Sequence, residues 1–374
     1  MGKINTRSPY HIHTHITNLT SASLYLYVYT GTQTSSRGSA VYSIDTIAID
    51  ETVDFEISEL VKDYLDTNFD SNYTGQNVWV DYQITQTIVT TPTVLPIVQL
   101  TGFNGYGYFE EGINPQLSSN LLISNNAVYK LNDTNVVIPV QQDNLNSIFY
   151  FKDGEVLKTE TYTPTSLNTD ITRYVSYGVV TVIDYKDRIA DDDGTFEDSK
   201  CLQDALDAIT AYDIDKIQFN FSDEIKIVDV IDIEECKHTP YKLTFVNKFG
   251  ALQDFWFFKR TNKSLSVSEN KYKSNILVSS GSKQSYSVSS HQNRILNKQG
   301  KEKLTLNSGY YNEDSNEVFT QMLLSEKVWI TYNAQVLPIS IRSSSLAFKT
   351  QLNDKLISYT IECEFAFDKI NNVR

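Results

Sequence analysis

Along this chain, apolar and polar positions alternate with a period of two far more often than with the period of a helix. In "ASLYLYVY", Leu24, Leu26 and Val28 share one parity, and Tyr25, Tyr27 and Tyr29 share the other. In "VWVDYQITQTI", Val78, Val80, Tyr82, Ile84 and Ile88 fall together. The last run, "KLISYTIECEFAF", sets Ile357, Tyr359, Ile361, Cys363, Phe365 and Phe367 against Ser358, Thr360, Glu362 and Glu364. Side chains alternate across a strand, so each run offers one face to a core. Further strands are expected at "TRYVSYGVVTVIDY", "KIQFNF", "EIKIVDVIDI", "YKLTFVN" and "DFWFFKR". The Tyr25, Tyr27, Tyr29 row is expected to be the buried second face of a central strand.

The period lengthens at three places. In "ISELVKDYLD", Ser58 is the expected N-cap of a helix whose stripe is Leu60, Val61, Tyr64 and Leu65. Leu202, Ala205, Leu206 and Ile209 form a second stripe, capped by Asp198 or Ser199. Asn312 is the expected cap of a third helix, with Glu313, Asp314 and Glu317 at its positive end and Val318, Phe319, Met322 and Leu323 inward.

These elements predict a mainly β protein: two or three β-sandwich-like domains, a few short amphipathic helices and an extended basic arm. The expected organisation is a β-sandwich domain over 1–160 and a mixed β/α domain over 161–260. An extended Ser/Lys-rich arm or long exposed hairpin follows over 261–300, then an α+β segment over 301–374. A length of 374 residues suffices for several cores. With 24 Tyr and 18 Phe against 2 Met, the composition favours pleated surfaces too.

Charge adds an asymmetry. The net charge is −14, so most of the surface repels phosphate, and nucleic acid is not an expected partner. Residues 259–303 nevertheless carry ten Lys or Arg against two acids, a net of +8, which leaves −22 on the remainder. Opposite signs on two segments point to contact between them, on one chain or between copies; a solvated loop would also tolerate the charge. The candidate contacts are Lys259, Arg260, Lys271, Lys273, Lys283 and Arg294, with Phe255 and Trp256 of "DFWFFKR", whose aromatics on both faces imply a strand covered on both sides by its own domain or by a neighbouring chain.

The candidate chemistry is sparse. His11, His13 and His15 of "HIHTHIT" are the candidate metal ligands. Side chains at i and i+2 of a strand lie about 6.5–7 Å apart and can share a Zn²⁺, whereas i and i+4 cannot do so easily. The same spacing is also the wet side of a half-buried strand. "ADDDGTFED" fails the EF-hand pattern, because Ile189 stands where the first Asp belongs. Neither a nucleophile elbow, nor a P-loop, nor a zinc-protease helix motif is present, and no cofactor is implied. Forty-six acids allow many carboxylate pairs, so glycoside cleavage is the residual enzymatic reading. In "TGFNGYGYFEEG", Tyr106, Tyr108 and Phe109 sit between glycines and would suit an exposed glycan-binding loop. Cys201, Cys236 and Cys363 form no C-x-x-C pair, and Cys363 reads as a core residue. No apolar run reaches about 18 residues, so no membrane-inserted helix is expected.

Several stretches carry a resemblance: "RSPYHI" (7–12), "LYLYVYTGTQT" (24–34), "FEISELVKDYL" (55–65), "VWVDYQI" (78–84), "PYKLTFVNKFGALQDFWFFKR" (240–260), "LTLNSGYYNEDSNEVFTQMLLSEKVWI" (304–330) and "LNDKLISYTIECEFAFDK" (352–369). Together they resemble virion structural proteins of tailed bacteriophages, especially contractile-tailed phages of marine bacteria, and of related prophages. The resemblance spans nearly the whole chain apart from the acidic loop and the basic arm. It implies a non-enzymatic particle component of the tail, baseplate, neck or a fibre attachment, assembled in the host cytoplasm and located in the virion. Its partners would be other copies of itself and other virion proteins. A receptor- or glycan-binding fibre module is the alternative, and a polysaccharide depolymerase a more distant one. The resemblance brings no catalytic residues.

Overall fold

The computed structural model of the chain describes residues 2–74, 77–116, 119–131, 136–141, 144–162, 172–177, 179–183, 209–343 and 356–371. The protein is mainly β: among the described residues, strands make up 55% and two short α-helices are present. Its apolar side chains gather into three main clusters, and each belongs to its own set of sheets.

The first body is a sandwich. Its main sheet runs, in spatial order, Gly2–Asn5, Val98–Phe103, Asn77–Ile88, Leu19–Tyr29, Tyr42–Ile47, with Thr91–Val94 turned back on Asn77–Ile88. The alternating parity works as expected on one side. Leu24, Leu26, Val28, Val78, Val80 and Ile84 point inward, against Ile12, Val53, Phe55 and Val61. The last four come from the paired strands His11–His15 and Thr52–Glu56 and from the helix Ser58–Lys62. Two expectations change here. Ile57, not Ser58, precedes the helix, and the Ser58 amide donates to Glu56 Oε1 at 2.8 Å. The tyrosine row is not buried: Tyr25 is 36% exposed, and Tyr27 and Tyr29 are half-buried. Among the described residues no second layer packs over the Tyr25 end, which lies on the outer face of the sheet, while Tyr29 packs against the cluster of Trp79 and Phe103.

The second body is built on the sheet Glu155–Thr161, Leu145–Lys152, Lys216–Phe221, Ile225–Asp232, Ala127–Lys130. Its core includes Ile138, Val140, Ile148, Tyr150, Ile217, Phe219 and Val228. The boundary expected at 160 runs through this sheet, because Leu145–Phe151 pairs with Lys216–Phe221 across it. Val136–Gln141 pairs with Thr172–Tyr177, and Val179–Ile183 with Ile209–Asp213. Ile209, expected on a helix, therefore begins a strand. The acidic loop, Cys201 and the rest of that expected helix lie outside the described residues.

The third body is a seven-stranded sheet in the order Leu252–Phe257, Tyr241–Val246, Val328–Tyr332, Gln335–Ile341, Thr360–Phe365, Asn293–Asn307, Asn262–Lys273. Strands of the expected middle domain (241–257), of the arm and of the C-terminal segment thus share one sheet. Long-range pairing of this kind leaves no mark in composition or period, so linear boundaries at 260 and 300 do not separate the strands. The helix Asn316–Leu323 packs on this sheet with Val318, Phe319 and Met322 fully buried. Asn312 is not its cap: a short 3₁₀ turn, Glu313–Ser315, intervenes, and Ser315 takes the N-cap position. Phe319 lies among Phe255, Phe257, Tyr311 and Tyr359, with ring centroids 4.6–6.5 Å away. At these separations edge-to-face contacts add to the apolar burial.

All three bodies meet at one shared cluster, beside further pairwise contacts such as Phe69 on Trp329 and Tyr129 on Tyr311. Trp79 and Phe103 of the first, Leu122 at the start of the second and Ala251 of the third form a small shared cluster. The turn Asn247–Gly250 presses against Asn104–Gly105, and the Tyr106 amide donates to Lys248 O at 2.9 Å. Gly250 has φ +73°, and an added Cβ would lie 2.8 Å from Asn104 backbone atoms. Only glycine permits both the left-handed turn and that approach.

Candidate functional site

The most distinctive surface feature is the hairpin formed by Asn262–Lys273 and Asn293–Asn307. Pairing runs from Asn262↔Thr305 to Lys273↔Asn293, with a register shift between Asn270 and Lys271 that leaves Leu296 unpaired. Twelve residues of strand extend about 40 Å at about 3.4 Å each. The base is anchored where Leu304 pairs with Cys363 and Leu306 with Ile361. Lys369 N–H then donates to Gly300 O at 2.7 Å. Beyond Gly300, no strand among the described residues flanks the hairpin on either side. Every residue of Asn262–Lys273 is exposed. The sequence explains this directly: "NKSLSVSENKYK" interleaves small polar and charged residues and offers no continuous apolar face to a core.

The hairpin's charge is left for something else. Its two acids are already engaged within the chain. Glu269 faces Lys271 at 2.5 Å and Lys298 at 3.7 Å, and the Lys271 hydrogen bond holds its carboxyl below the usual range. Glu302 is opposed by burial, but hydrogen bonds from Lys369 and Lys263 outweigh that and hold its carboxyl low. Lys259 is likewise taken, 2.6 Å from Glu235. Arg260, Lys273, Lys283 and Arg294 have no carboxylate within 4 Å among the described residues. Apolar side chains stand out beside them: Val267 is 50% exposed, Leu296 73% and Val288 95%.

The aromatics expected to join this surface do not. Phe255 is 4% exposed and sits in the third core, and Trp256 is half-buried. The Phe255 face of the strand is packed within its own protein, and the Trp256 face is only half-buried.

The three histidines stay on one strand face but build no metal centre. The structure brings acids opposite them that lie far away in sequence: His11 pairs in register with Glu56, and His13 with Asp54. His13 Nδ1 is 2.7 Å from Asp54 Oδ1, and His15 Nδ1 is 3.2 Å from Thr52 Oγ1. The His13 and His15 rings thus each have a neighbour of their own. No group of three or more His, Cys, Asp or Glu side chains among the described residues is placed to hold a metal ion.

The expected glycan loop is also rearranged. Tyr106 is 8% exposed, with the Arg7 guanidinium 4.7 Å over its ring. Tyr108 is half-buried under Lys248, whose ammonium lies 4.2 Å from the ring centroid. Burial, and then the hydrogen bond to Glu317, push the Tyr108 phenol far above its ordinary range. Phe109 alone is free, at 98% exposure. The glycines allow the loop to dock into the joint instead of displaying its tyrosines.

Sequence reasoning missed the acidic counterpart of the hairpin. Residues 38–61 contain six acids and no lysine or arginine. This stretch holds the edge strand Tyr42–Ile47 and two aliphatic side chains left in water, Ile47 at 79% and Ile49 at 77%. The missing signal was a local charge count of the kind that exposed the basic segment.

Fold and surface together define a three-body, mainly β protein with a projecting basic hairpin. No family model matches the chain, and no curated protein matches it.

Proposed function

We propose that this protein is a non-enzymatic structural component of a tailed-phage particle, in the tail, baseplate, neck or a fibre attachment, that works by gripping other copies of itself and other virion proteins. The observation that carries the reading is the hairpin Asn262–Asn307. Long exposed strands are costly for a solitary protein, because an open edge recruits unwanted partners. A hairpin of this length, with unpaired cations and exposed aliphatics, is explained when a partner covers it. The rest of the chain supplies an electronegative surface of the matching sign. The packed and hydrogen-bonded joint between the bodies suits a part that must hold its shape while loaded by neighbours.

Mass photometry and sedimentation velocity test this. The wild-type chain is expected to form a closed ring or larger assembly in low salt and to dissociate as ionic strength rises. Replacing 269–298 by an Asn-Gly turn, which joins the paired residues Ser268 and Gln299, is expected to give a folded monomer. A wild-type chain that stays monomeric, or a salt-insensitive oligomer that survives the truncation, overturns the reading. A free elongated trimer would favour the fibre alternative.

A further inference from the structure

If copies grip one another, the basic hairpin must land somewhere specific, and the inference that follows rests on that assembly reading. Two independent features select the landing place. The first is charge: over 38–61, acids accumulate with no base among them, and Asp45 and Asp50 are exposed and take part in no ion pair among the described residues. The second is an open edge. Tyr42–Ile47 pairs with Leu19–Tyr29 on one side and has no strand among the described residues on the other. Its backbone amides and carbonyls on that side form a ready template for another strand, and Ile47 and Ile49 beside it are uncovered.

The hairpin carries the complement of each feature. Asn262–Lys273 is itself an edge strand, paired among the described residues with Asn293–Asn307 alone. It brings Lys273 for the acids, with Arg294 on the strand paired to it, and Val267 for the aliphatics. We infer that the Asn262–Lys273 edge of one copy adds as a strand to the Tyr42–Ile47 edge of the next copy, where Asp45 and Asp50 receive the arm's cations. Main-chain hydrogen bonds supply affinity in such an augmented sheet, and charge sets the register. Lysines on an edge normally deter pairing. Here the deterrent is selective by sign: two arms repel each other, while an arm and an acidic edge attract. The contact joins different patches on the two copies, so it propagates head to tail and closes if the rotation allows.

Charge reversal tests the pairing. Asp45→Lys with Asp50→Lys is expected to weaken association about tenfold or more in low salt. Lys273→Asp with Arg294→Asp is expected to do the same. The variant carrying all four changes is expected to recover association, because the signs match again. Thermal melts of each variant check that the fold is kept. If the wild-type chain assembles through its hairpin but the Asp45/Asp50 variant assembles equally well, this landing place is wrong while the assembly reading stands. Failure of the fourfold variant to recover also overturns the strand pairing. A monomeric wild-type chain removes both.

Discussion

The Tyr108 hydroxyl donates to Glu317 Oε1 at 2.7 Å, tying a loop of the first body to the C-terminal helix of the third. Gln321 Nε2 donates to the same oxygen at 2.8 Å. Gln321 Oε1 in turn accepts the Lys248 amide at 3.0 Å and the Ser124 hydroxyl at 2.7 Å. One short network thus spans all three bodies.

Tyr108→Phe removes the hydroxyl but keeps the ring under Lys248. It leaves a half-buried carboxylate short of a donor, so a loss of about 1.5–3 kcal/mol is expected, the range for hydrogen bonds to charged groups. Urea unfolding curves measure it. An unchanged midpoint would show that the loop does not lock the joint and would return Tyr108 to the pool of candidate ligand-binding residues.

Phe319→Ala should be the more damaging change. The ring is fully buried among four aromatic neighbours, and large-to-small truncations of that kind cost about 3–5 kcal/mol. Denaturant titration should show a large drop in midpoint, whereas Phe109→Ala, at a ring 98% exposed, should leave the midpoint within error.

The cysteines should separate by reactivity. Burial pushes the Cys363 thiol up to about 12, while Cys236 is exposed. Only the thiolate attacks an alkylating reagent. At pH 8, iodoacetamide followed by mass spectrometry should therefore modify Cys236 and spare Cys363 until denaturant is added. Rapid labelling of Cys363 in the folded protein would contradict the packing of the last strand.

Glu235 ties Lys259 to the body below the hairpin. The hydrogen bond from Lys259, followed by the amide of Lys237, lowers its carboxyl from 4.5 to about 2. A carboxyl lowered in the folded state stabilises fully above its unfolded value and loses that contribution as the pH falls toward the folded one. The difference in urea midpoint between wild type and Glu235→Gln should thus be largest near pH 6 and shrink between about pH 4.5 and pH 2. A difference that stays constant over this window would mean that the ion pair contributes nothing.

Much of the local structure was legible because it depends on near neighbours. The period of two placed Leu24, Leu26 and Val28 inward and Ile361, Cys363 and Phe365 on a buried face. The stripe Val318, Phe319 and Met322 was equally readable. The site was legible in part. The cations of 259–303 and the absence of an apolar stripe pointed to a projecting element, and the hairpin projects. Tyr106 was misplaced because an aromatic between glycines looks displayed in one dimension, and for Phe255 the sequence left cover by its own domain or by a neighbour open; in both, only packing from distant segments decides. The acids opposite His11 and His13 escaped notice similarly, because pairing with Thr52–Glu56 is long-range.

By itself, then, the amino-acid order determined strand-rich secondary structure, the inward parity of each strand and the uneven spread of charge, since these follow from side-chain alternation and simple counting. Tertiary structure alone decided which strands share a sheet, where the bodies divide and which edges stay open. Those outcomes turn on contacts between residues tens to hundreds of positions apart, whose energies appear only once the chain has closed on itself.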